Sequence, residues 1–452
     1  MQILTARTAL LPDGWAQDVT LTIDAQGRIA AVARGEGRTP DAEILIPAPA
    51  NLHSHTFQRA MAGLTERRGP DESDSFWTWR RLMFRFLDQL TPDDIEAIAA
   101  FAFAEMLEAG FARVAEFHYL HHAPGGAPYA DRAETSARIA AAAARTGIGL
   151  TLLPVLYMQG GVDGRALSPG QVRFGSDIDG FAALMQGAGA ALAGLPMDTN
   201  LGAAPHSLRA VTPEALAQVP GLTDGPLHMH LAEQVAEVDE VRAAYGARPV
   251  GWALANMDLG PRWCLIHCTQ MTGAETRALA ATGAIAGLCP ETEASLGDGV
   301  FPAGDWFHAG GAMGLGTDSN IRITLAGEIR LLEYAQRLTT RRRAVLADGT
   351  RSTARAILDA ALSGGARATA QPTGAIAAGN WADLIALDAG HPDLGGRSGD
   401  TILDAFAFAR AEEAIAHVWS AGRHVVRDGR HVAGDAIAAD YARVLARLTD
   451  RL

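Results

Sequence analysis

The chain has 452 residues, 48% of them hydrophobic, and carries 38 Lys and Arg against 51 Asp and Glu, a formal net charge of −13. That length can bury a large core and fits one enzyme-sized domain with an appended module. The negative field disfavours nucleic acid and anionic membranes as partners, and because lysine is absent any acidic small ligand has to be met by locally placed arginines.

Residues 1–47 alternate in short β-type runs, "QILTARTALL", "DVTLTID" and "IAAVARG", broken by Asp-Gly and Gln-Gly turns. The opening "MQILTARTALLPDGW" lacks the basic and long apolar regions of a signal peptide, and nowhere do about 18 apolar residues run uninterrupted. The expectation is a soluble, cytoplasmic protein. From residue 42 onward eight apolar runs of strand length recur: "AEILIPAPANLHSH", "ARVAEFHY", "GLTLLPVLY", "NLGAAPHS", "PLHMHLAE", "WCLIHCTQ", "AIAGLCPETE" and "AMGLGTDSN". Helical stretches such as "DDIEAIAAFAFAEMLEAG" and "AETSARIAAAAARTG" separate them. Eight strands alternating with helices predict an α/β fold, a parallel (β/α)8 TIM-type barrel over residues 48–373.

The β-type pattern returns within residues 374–436, in "ADLIALD" and "IAHVWSAGRHVVRDGRHV", with a turn expected at Asp428 and Gly429. Neither end has enough core alone, so residues 1–47 and 374–436 are expected to pair into one small β-sandwich, with residues 437–452 a C-terminal helix. Cys264, Cys268 and Cys289 lie in apolar runs and are too few for a disulfide framework, which makes them buried, reduced thiols.

Nearly every barrel run starts apolar and finishes in His, Glu, Tyr or Asp, so reactive groups would collect on the C-terminal face where barrel active sites are built. In a strand, residues i and i+2 share a face, which puts His53 and His55 on one side. "HMHLAE" adds His228, His230 and Glu233, "WCLIHC" adds His267, and "GLGTDSN" adds Asp318. Three imidazoles and a carboxylate suit Zn²⁺ with an open position for water, and iron or manganese fits the same donors. Such an ion lowers the pKa of its water to about 7. Glu233 and His267 are then free for proton transfer, and Asp318 can also orient the water. His118, His121 and His122 in "EFHYLHH" are read as structural rather than as a second metal site, and "TTRRR" at 339–343 as a solvated charged face.

This pattern resembles the amidohydrolase superfamily, and the resemblance runs along essentially the whole chain, including "GAIAAGNWADLIALD" near the end. It implies a distorted (β/α)8 barrel carrying a small β-sandwich built from both termini. No lysine is present to bridge two ions, and "HLAE" matches the mononuclear deaminase branch, which implies one metal per subunit. Within that branch the chain is most similar to the formimidoylglutamate deiminases, through "NLHSHTFQRAMAGLTE", "FWTWRRLMFRF", "EFHYLHH", "APHSLRAV", "HMHLAEQ" and "LCPETEASLGDGVFPA".

The resemblance implies that His53, His55, His230 and Asp318 bind Zn²⁺, that Glu233 and His267 handle protons and charge, and that Gln58, Arg80, Tyr119, His206 and Arg209 line the substrate pocket. It further implies hydrolytic deimination of N-formimino-L-glutamate in histidine degradation by a homodimer. The chemistry agrees, since a dicarboxylate calls for the bidentate fork of arginine. Gln270 and Asn320 stand in regions where close relatives are expected to carry an additional histidine. Two other readings compete: deamination of a purine or adenosine derivative by the same metal chemistry, and a silent barrel serving as an interaction scaffold. Two pocket arginines argue against the first, and an intact ligand set with Glu233 against the second.

Overall fold

The computed structural model describes residues 1–66 and 76–449, without the side chains of residues 76–78 and 81. Part of the quoted stretch "FWTWRRLMFRF" and the last three residues of the expected C-terminal helix therefore lie outside the described residues.

Four N-terminal strands, β1 (Gln2–Leu11), β2 (Gly14–Ile23), β3 (Ile29–Arg34) and β4 (Ala42–Pro47), open the chain. The middle supplies β5 (Ala50–Ser54), β6 (Arg113–His118), β7 (Gly149–Leu156), β8 (Asn200–Leu201) and β9 (Ala204–Pro205). It continues with β10 (Leu227–Leu231), β11 (Trp263–His267), β12 (Ile285–Leu288) and β13 (Ala312–Leu315). The last four are β14 (Leu384–Leu387), β15 (Ile415–Ser420), β16 (Arg423–Arg427) and β17 (Arg430–His431).

Both ends of the chain enter one eight-stranded sheet in the order β17-β16-β15-β14-β4-β1-β2-β3. Its hairpins follow local chemistry. Asp428 and Gly429 take φ of 50° and 73° to join β16 to β17, the left-handed pair that matches strand twist. The β15 to β16 turn is built from Ala421 and Gly422 at φ 42° and 73°. Alanine is a poor choice there by propensity, but its N–H donates to the buried Asp383 carboxylate at 2.6 Å.

The middle strands form two parallel sheets, β5-β6-β7-β8 with β9 also on β7, and β10-β11-β12-β13. Isolated parallel bridges, Ala203 to Leu227 and Ser54 to Asp318, connect their edges. The run expected as the first barrel strand is in fact two strands. Proline at 47 and 49 removes ladder donors, so β4 stays in the terminal sheet and β5 enters the parallel one. The fourth run is likewise broken into β8 and β9, and "CPETE" after β12 is helical, within Pro290–Leu296.

Helices cover the parallel strands, whose residues in β6, β7, β10 and β11 are buried throughout. Helix Pro92–Glu108 starts at a reciprocal capping box between Thr91 and Asp94. Helix Thr353–Ala368 lies directly on β13 because Gly364 has no side chain; a Cβ there would stand 1.8 Å from the Met313 carbonyl oxygen. The C-terminal helix begins at Gly434 and stacks Tyr441 on Phe101 with centroids 4.0 Å apart. Among the described residues no helix is long and apolar enough to cross a membrane.

One buried ionic network ties the terminal sheet to the parallel one. Arg113, at the start of β6, is fully buried between Asp383, 3.3 Å away, and Asp198, which also pairs with Arg423 at 2.6 Å. Thr373 and Ala421 complete the shell around Asp383. Removing one member leaves buried charge uncompensated, so Arg113→Met is expected to destabilise the fold by about 3–5 kcal/mol. A urea midpoint equal to wild type would show that the network carries no such weight.

Candidate metal centre and cleft

β5 ends at Ser54 and sends His53 and His55 to one side, while the loop after β13 returns Asp318 onto them. That return is held by backbone hydrogen bonds. Thr317 N and Asp318 N donate to His53 O at 3.1 and 2.9 Å, and His55 N donates to Asp318 O at 2.9 Å. Asn51 ties down Thr317 through both its side-chain atoms. Asp318 and Asn320 take φ of 43° and 54°, and Asn320 braces the turn by donating to Ser54 Oγ and Asp318 O at 3.1 Å each. Ala232, His267 and Cys268, at the ends of β10 and β11, also have left-handed φ of 52°, 70° and 51°. Strained backbone of this kind gathers at functional sites; here it lies at the strand ends that carry His230, Glu233, His267 and Asp318.

The donor atoms converge. His230 Nε2 lies 3.1 Å from His53 Nε2 and 3.4 Å from His55 Nε2, and Asp318 Oδ1 lies 3.4 and 3.2 Å from the same two nitrogens. His55 Nδ1 is 2.9 Å from Phe117 O and His230 Nδ1 is 3.1 Å from His206 O, so each Nδ1 carries the proton and donates it outward. The Nε2 lone pairs of His55 and His230 are thereby left facing each other beside His53 Nε2 and Asp318 Oδ1, an arrangement that a cation resolves. These residues fit a divalent ion by donor type as well, since hydrogen-bonded neutral imidazoles with a carboxylate are the usual set for one. Burial, reinforced by the neighbouring imidazoles, pushes His53 and His230 well below the ordinary histidine value; burial also lowers His55, against the pull of Asp318.

His267 differs. Burial opposes its charge, but Glu233, Glu293 and Asp318 outweigh it and lift the imidazole to about 10. Its Nδ1 is 3.2 Å from Glu293 Oε1, while its buried Nε2 has no hydrogen-bond partner among the described residues and lies 3.7 Å from Asp318 Oδ2 and 3.8 Å from Glu233 Oε1. Glu233 is raised by burial, against the pull of His267 and Arg209. Its backbone is pinned by Glu237, whose carboxylate accepts from Ala232 N and Glu233 N at 3.1 and 3.0 Å.

Beside this centre a cleft is lined by His55, His230, Glu233 and Asp318, and by all five residues expected in the pocket. Gln58 Nε2 donates to Tyr119 Oη at 3.0 Å, leaving Gln58 Oε1 buried with no partner among the described residues. Arg209 is paired with Glu233 at 3.5 Å, and Arg80 reaches the hydroxyl of Tyr157 at 2.8 Å. His206 is kept neutral by burial, with the charges of Arg209 and Arg80 adding to the effect.

The other residues singled out in the sequence lie around the centre rather than in it. His228 shares a face with His230, but its Nε2–H donates to Ala368 O, 2.8 Å away, and it stays out of the centre. His118, His121 and His122 bond to Thr135, Val155 O and Gly175 O. All three cysteines are buried and free; Cys289 lies near His267 and Asp318, but burial holds its thiol well above the ordinary value. Gln270 is tied to Asp298 O and Ala232 O, bracing loops rather than facing the donors. Sequence reasoning missed Tyr157, Gln171, Glu237 and Glu293. Tyr157 closes the "GLTLLPVLY" run and Glu293 sits in "CPETE", so the habit of runs ending in polar residues pointed to both. Nothing local marks Glu237 or Gln171.

A buried His3Asp cluster at the ends of parallel strands defines a metal-dependent hydrolase, and the chain belongs to the amidohydrolase family, which it matches over residues 44–425. Residues 1–44 match a second family, described as formimidoylglutamate deiminase HutF, N-terminal domain. The chain is 46% identical to formimidoylglutamate deiminase of Pseudomonas aeruginosa, covering 100% of both sequences. It superposes on an amidohydrolase from Brucella melitensis with a TM-score of 0.94 at 46% identity, covering 99% of this chain and 100% of that one. An adenosine deaminase from Xanthomonas campestris with bound zinc shares the fold, with a TM-score of 0.82 at 21% identity over 99% and 98% of the two chains.

Proposed function

We propose that the chain hydrolyses N-formimino-L-glutamate to N-formyl-L-glutamate and ammonia, the deimination step of histidine degradation. The observation that carries this is one cleft in which two guanidinium groups, Arg80 and Arg209, flank the His3Asp cluster of a chain with net charge −13. The full-length relative from Pseudomonas aeruginosa supports the same substrate.

In this proposal His53, His55, His230 and Asp318 hold one divalent ion, Zn²⁺ by preference, with Fe²⁺ or Mn²⁺ accepted by the same donors. Bound there, the ion supplies Lewis acidity that makes water nucleophilic near neutral pH. Glu233 takes a proton from the water as a C–O bond forms at the formimino carbon and gives it to the terminal nitrogen; the second water proton follows as the carbonyl forms and the C–N bond breaks, so that the nitrogen leaves as ammonia. Burial suits Glu233 to hold that proton, because it raises the carboxyl above its ordinary range. His267 offers its unpartnered Nε2 to negative charge growing on the attacking oxygen. The unpartnered Gln58 Oε1 accepts from an N–H of the formimino group, while Arg80 and Arg209 receive the carboxylates; His206 and Tyr119 complete the walls.

The proposal extends to the architecture. The two parallel sheets close into a distorted (β/α)8 barrel over residues 48–373, supported by the bridges at both edges. Residues 1–47 and 374–436 fold as a β-sandwich, supported by a separate apolar cluster that includes Leu4, Leu21, Leu45 and Trp419. A cytoplasmic homodimer belongs to the same proposal and is read out by light scattering.

The deciding assay is ammonia release by zinc-loaded protein from N-formimino-L-glutamate beside guanine, adenosine and S-adenosylhomocysteine, with product mass recorded. Ammonia with N-formyl-L-glutamate from the first alone is the expected result. Turnover of a purine instead would discard the pocket assignment, and silence on all four would discard this substrate reading in favour of an untested substrate or the scaffold. Arg80→Met and Arg209→Met should each raise KM by about 10- to 100-fold, the scale of a lost charge-assisted hydrogen bond, with metal content unchanged. An unaltered KM in both would remove them from the pocket.

A further inference from the structure

Tyr157 follows the last residue of β7 and opens on the same cleft as the metal-centre residues. Its ring packs edge-on to His206, centroids 4.6 Å apart, and only 3% of the residue is exposed. Two donors converge on its oxygen, Arg80 Nη2 and Gln171 Nε2, both at 2.8 Å. The Gln171 amide cannot be turned round without loss, because its Oε1 accepts from Ser168 N at 2.9 Å. Gln171 therefore presents its NH2 group to the phenol.

A phenolic oxygen accepts up to two hydrogen bonds and donates one. Both accepting positions of Tyr157 are filled by N–H groups, so its remaining capacity is the O–H proton. Among the described residues no acceptor stands within hydrogen-bond distance of that oxygen to receive it. A buried donor left unmade is unfavourable, and here it opens on a cleft wall beside a guanidinium. The chemistry such a pair recognises is an anion: Arg80 supplies charge and Tyr157 a directed O–H bond.

We propose that Tyr157, held in this donor role by Gln171, forms with Arg80 the subsite for one of the two substrate carboxylates, and so sets the preference for a dicarboxylate over a monocarboxylate formimino compound. The proposal rests on the N-formimino-L-glutamate reading above. Tyr157 touches the substrate; Gln171 is a positioning residue, since it acts only by fixing which hydrogen-bonding roles are left to the phenol.

The test compares wild type with Tyr157→Phe on three substrates: N-formimino-L-glutamate, N-formimino-4-aminobutyrate, which lacks the α-carboxylate, and N-formimino-2-aminobutyrate, which lacks the side-chain carboxylate. Metal stoichiometry and thermal midpoint are recorded for both proteins, because the phenylalanine keeps the ring and should leave both unchanged. Tyr157→Phe is expected to raise KM for the dicarboxylate by about 10- to 100-fold, with a much smaller change in kcat. On the analogue lacking the carboxylate that meets Tyr157, the two proteins should have equal kcat/KM, while the other analogue shows the full effect. Gln171→Met should give a smaller KM rise with the same substrate pattern. Equal losses on all three substrates would mark a merely structural tyrosine and overturn the proposal, as would an unchanged KM for the dicarboxylate. Failure of wild type to release ammonia from N-formimino-L-glutamate would overturn the substrate reading itself, a result distinguishable from the other two.

Discussion

Glu233→Gln is expected to lower kcat by about 10²–10⁴-fold, the range for removing a general acid/base, while the protein keeps its metal. The substitution preserves size and one acceptor oxygen but abolishes the carboxylate that moves the proton. Its placement should survive, because the position of Glu233 is set through its backbone N–H by Glu237 rather than through its own side chain. The metal should survive too, because the carboxylate is not one of the four converging donors. Arg209 and His267 lose an anionic neighbour at 3.5 and 3.8 Å, so a moderate rise in KM is expected alongside the fall in kcat. Steady-state kinetics with metal content measured on the same sample decide it. Near wild-type kcat in metal-replete Glu233→Gln would sink the proton-transfer role.

Asp318→Ala should give the opposite pairing, with loss of metal and loss of activity together. Asp318 is the one carboxylate among the donors, 3.4 and 3.2 Å from two imidazole nitrogens, and it alone brings negative charge to them. Outer-shell substitutions in metal sites typically weaken affinity by about 10–100-fold, and removal of a direct donor should exceed that. Wild type stripped by a chelator should regain both metal and turnover when Zn²⁺ is added back, whereas Asp318→Ala should regain neither at equal zinc concentration. Full metal occupancy in Asp318→Ala, measured by elemental analysis, would exclude Asp318 from the ligand set. The two variants separate the functions: one removes chemistry with the ion in place, the other removes the ion.

Much of the centre was legible from alternation alone. His53 and His55 share a face because strand side chains repeat every two residues, and the habit of apolar runs ending in His, Glu or Asp collected His230, Glu233, His267 and Asp318 at one end. The pocket residues Arg80 and Arg209 were less legible, since arginines on a helix or loop are ordinary solvated groups without a partner in view. They came forward through the resemblance, and the cleft brings them beside the donors. The first strand was read as one piece although Pro47 and Pro49 divide it, because apolar continuity hides the missing N–H groups.

By itself the sequence determined the class of fold, the pairing of the two chain ends and the donor types, all of which follow from residue identity and short-range periodicity. Between His228 and His230 periodicity left the choice open and the resemblance took His230; the tertiary structure supplies the physical reason. Alternation puts both on the same face, but two residues along a strand is about 6.6 Å, enough to take His228 from the mouth to the Ala368 carbonyl. The left-handed turns at Ala232, His267 and Asp318, the Glu237 carboxylate under Glu233, and the Gln171 amide that fixes the role of Tyr157 were also decided there. Each depends on groups brought together from different strand ends and loops, and on depth along the parallel strands, which periodicity along one chain does not encode.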